Sequence, residues 1–127
     1  MPVAKGTFHV QKQPTGLGPG LWRYSLDKVW QGDFVGTSCG EMISGGDPAQ
    51  GAAGYVAMER LEGVVQGRHG SFALAQLATM SKEGRMLRVL VVPGSGTEEL
   101  AGISGTPEIV IEDRLHSYVL DYVLAGK

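Results

Sequence analysis

Apolar and polar residues alternate with a period of two through most of this chain, in short runs broken by glycine and proline. The pattern predicts eight strands: Gly6–Gln13, Leu21–Trp30, Phe34–Ile43, Tyr55–Gln66, Ser71–Met80, Arg85–Val92, Thr106–Glu112 and His116–Leu124. Turns fall between them at Gln31-Gly32-Asp33, at Gly67-Arg68-His69-Gly70 and at Ser81-Lys82-Glu83-Gly84. Ser44 to Gly54 is the longest predicted loop and is placed to overhang one mouth of the fold. Glu98-Glu99-Leu100 is read as a single helical turn. No segment sustains a helical period over three turns. The expectation is one all-β domain over residues 1–127, an eight-stranded antiparallel barrel whose closure removes the edges that an open sheet would expose.

Alternation also assigns faces. Pairing Gln66 with Ser71 across the fourth and fifth strands sets Val65 opposite Phe72 and Leu61 opposite Gln76. Tyr55, Ala57, Glu59, Leu61 and Val65 then share a face with Phe72, Leu74, Gln76 and Ala78. This face is the more apolar of the two and should line the lumen. Arg60 belongs outside or at the rim. Tyr118, Leu120 and Tyr122 are likewise placed inward on the last strand. On the second strand Trp22, Tyr24, Leu26 and Trp30 share a face with Lys28, and the pattern leaves lumen and subunit contact equally open. So much apolar surface on one strand predicts a homo-oligomer, with a dimer ahead of a trimer.

Composition narrows the function classes. The chain has 127 residues and a net charge of −2, and its lysines and arginines are scattered rather than clustered, so no nucleic-acid partner is expected. Twenty glycines, spaced between apolar runs, suit a β fold with frequent turns. One cysteine, Cys39, excludes an internal disulfide and is read as a small buried residue. The start of the chain lacks a signal-peptide pattern, and no apolar run approaches the ~18 residues of a membrane helix. A cytoplasmic protein with no membrane partner is expected.

Glu59 is the sharpest chemical candidate, because a carboxyl in an apolar lumen can serve as acid, base or dipole partner. The plainer reading, which the pattern favours, is a structural ion pair of Glu59 or Glu62 with Arg60 or Arg68 at the rim. Gln76 sits diagonally from Glu59 and should meet it. Tyr118 and Tyr122 supply bulk and a hydroxyl. His9, His69 and His116 lie on separate elements, so no metal site is expected. Ser95, in Gly94-Ser95-Gly96, is read as part of a tight turn rather than a nucleophile elbow, since no long helix follows.

The Glu59-Arg60 pair, Gly67-Arg68-x-Gly70-Ser71-Phe72, Pro93-Gly94-Ser95-Gly96-Thr97 with Leu100 and Gly102, and His116-x-Tyr118-x-Leu120-x-Tyr122 resemble the domain of unknown function 3224 family. The resemblance covers most of the chain and implies a small bacterial protein with an allene oxide cyclase-like (calycin-like) barrel. That family has no assigned activity. Relatives often carry His at the position of Gln76 and an aromatic at that of Val89, so His-dependent chemistry is not implied here.

The function expected is binding of a small apolar molecule in the lumen, lined by Tyr55, Glu59, Phe72, Gln76, Tyr118 and Tyr122, with Glu59 the catalytic candidate and no cofactor. One rival is a cofactor-free cyclase or isomerase acting on a reactive apolar substrate. The other is a filled barrel that serves only as an oligomeric interaction module. Fold-level analogy does not decide among them.

Overall fold

The computed structural model describes residues 3–15, 19–112 and 115–124. Eight strands account for nearly all of them: β1 Val3–Pro14, β2 Leu21–Gly32, β3 Phe34–Asp47, β4 Ala52–Val65, β5 Arg68–Ser81, β6 Gly84–Val91, β7 Ile103–Glu112 and β8 Leu115–Leu124. All pairings are antiparallel, in the order β6-β5-β4-β3-β2-β1-β8-β7. The sheet rolls until β6 and β7 lie side by side. Among the described residues no hydrogen-bond ladder joins those two strands, so the barrel is nearly closed, with a seam held by side chains. Pro107 lies on β7, an edge strand, where a sheet tolerates a residue with no N–H.

The β4–β5 hairpin turns on only two residues, Gln66 and Gly67, with φ of 47° and 87°. Such positive values give a turn whose twist matches that of the flanking strands. Gln66 bears this conformation without being glycine because its amide is held from both sides. Its Nε2 donates to the Val3 carbonyl at 3.0 Å, and its Oε1 accepts from the Tyr122 hydroxyl. The tight turn moves the pairing four residues from the predicted register: Leu61 faces Phe72, Glu59 faces Leu74 and Ala57 faces Gln76. Four is even, so every face assignment survives the shift.

Other expectations need correction. Most of the predicted Ser44–Gly54 loop is strand, because Gly45, Gly46 and Asp47 ladder with Gly54, Ala53 and Ala52. Only the short 3-10 turn Pro48–Gln50 and Gly51 remain as connection. Cys39 is exposed, since it alternates outward on β3 between inward Ser38 and small Gly40. The ambiguous face of β2 is the lumen face: Leu26, Lys28 and Trp30 are buried, and only Trp22, near the strand's start, is substantially exposed. The exposed apolar surface on that face is limited to Trp22.

The lumen divides into two halves. A chain of aromatic contacts runs along it: Phe8 to Trp30 at 4.5 Å between ring centres, Trp30 to Tyr118 at 5.1 Å and to Phe34 at 5.7 Å, then Phe34 to Phe72 at 5.9 Å. Edge-on and tilted arrangements like these suit the ring quadrupoles. Below them the β6–β7 connection folds under the barrel. The Thr97 N–H donates to the Ser71 carbonyl at 2.9 Å, and the 3-10 turn Glu98–Leu100 carries Leu100 into the core with no exposure at all. Ser95 closes the preceding turn, with its Oγ donating to the Val92 carbonyl at 2.7 Å, as the sequence predicts. This end is filled.

Candidate ligand-binding pocket

The other half of the barrel is open. Residues of all eight strands line a cavity of about 720 Å³, bounded by apolar side chains such as Val10, Leu26, Met42, Met86, Leu87 and Ile109. Its floor is polar. Lys28 reaches in from β2 between the Phe8 and Trp30 rings, 4.9 and 5.5 Å from their centres. Its Nζ meets Glu59 Oε2 at 2.8 Å, with the two side chains 7% and 0% exposed. Burying either charge alone would be costly, so each provides the condition for the other. Gly40 faces Glu59 on β3, and a Cβ there would fall 2.6 Å from the Glu59 Cα. Glycine lets the two backbones pinch together behind the carboxylate.

Two longer contacts extend this pair toward the cavity. Gln76 Nε2 donates to Glu59 Oε2, and the Tyr55 hydroxyl donates to Gln76 Oε1, both at 3.4 Å. Burial, with a smaller contribution from the charge of Glu59, raises the Tyr55 phenol above its ordinary value. Glu59 Oε1 is buried with no hydrogen-bond partner among the described residues. Glu59 itself does not line the cavity. Lys28, Gln76 and Tyr55 line the cavity, and the Glu59 carboxylate lies behind them.

The six residues singled out from the sequence thus separate. Tyr55 and Gln76 line the cavity and Glu59 stands directly behind. Phe72, Tyr118 and Tyr122 belong to the filled half. Of the expected ion pairs, Glu62 with Arg60 forms on the outer face, while Glu59 pairs with Lys28 rather than with Arg60 or Arg68. Arg60 points outward, 4.0 Å from Glu62, and donates to Ser71 Oγ at 3.0 Å. Sequence reasoning missed Lys28 as that partner. The available signal was a lysine between Leu26 and Trp30 on an aromatic face, a place that requires a counter-charge. His116 also lines the cavity, stacked on Phe8 at 5.2 Å. Among the described residues no three His, Cys, Asp or Glu side chains gather as a metal ion requires.

Tyr118 is a structural clasp. Its hydroxyl accepts from the Phe34 N–H at 2.9 Å and faces the Gln31 and Phe34 carbonyls at 3.0 and 3.2 Å, fixing the β2–β3 turn. Burial raises its phenol above the ordinary 10.0, the Phe34 N–H opposes this, and the Asp33 charge adds to the rise. The unfolded chain therefore releases this proton first as pH rises. The associated stability is complete below pH 10.0 and is lost as pH climbs through the folded value. Tyr118→Phe should cost about 1–3 kcal/mol at neutral pH, because it leaves the Phe34 N–H unpaired. Urea unfolding at about pH 8 and about pH 11 should also show a shallower alkaline loss in the variant than in the wild type. An equal loss in both would reject the assignment.

Comparisons with known proteins agree with this architecture. The family model described as "Protein of unknown function (DUF3224)" matches residues 4–122. A crystal structure of a protein with unknown function from the DUF3224 family of Shewanella oneidensis MR-1 is 37% identical, covers 100% of this chain and 99% of its own, and superposes with a TM-score of 0.92. No curated protein matches. A match over nearly the whole length, together with a shared barrel at this identity, places the chain in a family: it belongs to DUF3224.

Proposed function

We propose that this protein binds a small, largely apolar molecule in the open half of its barrel. The observation that carries the reading is the cavity of about 720 Å³, apolar on its walls and polar only at its floor and mouth. That size lies within the range of small-molecule sites, which combine apolar walls with a few placed polar groups. The filled half supports it by giving the cavity a rigid base, through the buried Lys28–Glu59 pair and the aromatic column beneath. A cyclase or isomerase would need its proton-transfer group against the substrate. Screening of Glu59 by Lys28 and Gln76 favours binding over turnover.

The test is titration with N-phenyl-1-naphthylamine, an uncharged apolar probe whose fluorescence rises out of water. The expected result is saturable binding of one probe per chain. Ala78→Trp, which fills the cavity from β5, should abolish it while the unfolding midpoint stays close to that of the wild type. A wild-type protein with no saturable signal would overturn the reading.

A further inference from the structure

The charged side chains that line the cavity are of one sign. Lys12, Lys28 and Arg85 line the cavity, and among the described lining residues none is acidic. Lys28, at the floor, is already answered by Glu59 at 2.8 Å. Lys12 and Arg85 stand at the mouth, near the end of β1 and the start of β6, on the same inward alternation as Val10 and Leu87. Among the described residues neither has a carboxylate within 4.0 Å. The Lys12 ammonium lies 5.4 Å from the centre of the Tyr24 ring, which also borders the cavity. Glu83, in the turn before Arg85, and Asp27, between inward Leu26 and Lys28, do not contribute to the lining.

The chain as a whole is negative, at −2, so its net charge would not attract an anion. Exposed charges more than about 8–10 Å apart are largely screened at physiological salt, however, so the mouth acts on a ligand through its own residues. The geometry points to an anionic amphiphile as the ligand: a carboxylate head held between Lys12 and Arg85, with an apolar body reaching down past Leu26, Met42 and Ile109 toward Gln76. The reverse orientation is disfavoured. A carboxylate at the floor would share Lys28 with Glu59, and two like charges would face each other where solvent cannot screen them. Apolar walls alone would accept a neutral molecule equally well. The mouth is what distinguishes the two. This inference rests on the reading of the cavity as a ligand site.

The experiment displaces N-phenyl-1-naphthylamine with dodecanoate, dodecanol and dodecyltrimethylammonium, three molecules of one chain length and different head charge, each below its micelle-forming concentration. Dodecanoate is expected to bind about fivefold tighter than dodecanol, the scale of one or two partly exposed ion pairs, and the cation weakest of all. The carboxylate-to-alcohol ratio should fall toward one in the Lys12→Ala/Arg85→Ala double variant. Reading a ratio within each variant removes any general change in the cavity. If the probe saturates but dodecanol equals or exceeds dodecanoate, the anionic head is wrong and the binding reading stands. If the preference survives the double variant and is lost in Lys28→Met, the head lies at the floor and this proposal fails. If the probe itself never saturates, the binding reading falls first and this inference with it.

Discussion

Glu59→Ala is expected to destabilise the fold by about 3–5 kcal/mol, the cost of leaving one charge of a buried pair without its partner. The residue that suffers is Lys28, 7% exposed and held between two aromatic rings, with no other carboxylate among the described residues within 4.0 Å of its ammonium. Lys28→Met alone should be comparably harmful, because it strands Glu59. Changing both, Lys28→Met with Glu59→Leu, should regain most of the loss, since an apolar pair of similar volume carries no desolvation penalty. The double variant would then lie far from the sum of the singles, as expected for groups in direct contact. Urea unfolding at neutral pH measures all three. Single variants that each lose less than about 1 kcal/mol would mean that water reaches the pair, and that it is not buried as its low exposure implies. The shape-preserving Glu59→Gln separates support from function: a lower melting temperature marks the first, altered probe affinity in an intact fold the second.

The second large effect concerns the filled end. Leu100→Ala should cost about 2–5 kcal/mol, the range for truncating a fully buried leucine. Leu100 is brought in by a connection whose grip on the barrel runs through Thr97 and Ser71, so the site has little freedom to collapse around the missing atoms. Leu90→Ala is the control: it points outward on β6, is 52% exposed, and should shift stability by no more than about 0.5 kcal/mol. Equal effects at the two positions would mean that the connection does not pack as described.

The sequence made the barrel legible because alternation records which side of a sheet a residue faces. That record held even where the pairing was misjudged: a four-residue slip between β4 and β5 left Glu59, Gln76 and Arg60 on their proper sides. The slip itself was hidden, because a two-residue turn with Gln66 at positive φ depends on Tyr122 and Val3, which lie far along the chain. The role of Tyr118 was hidden for the same reason, since its partner Phe34 is 84 residues away. Lys28 and Glu59 meet over β3, from β2 and β4, and no periodicity within one strand reports a contact of that kind. Glycine misled in the opposite direction. Gly45, Gly46 and Gly54 read as loop, yet they continue a ladder.

The seam between β6 and β7 is where the wall of this barrel is least tied together. Every other pair of neighbouring strands is joined by a ladder, so widening the wall there would break backbone hydrogen bonds. Along the seam, among the described residues, widening would break side-chain contacts and no ladder. β6 contributes Leu87 and Arg85 to the cavity and β7 contributes Ile109 and Ile111, so the wall without a ladder also borders the cavity. Pro107, which has no N–H to offer, helps to keep that wall from zipping shut or recruiting a foreign strand. The fold is less a seamless cup than a rolled sheet whose two edges meet without being stitched.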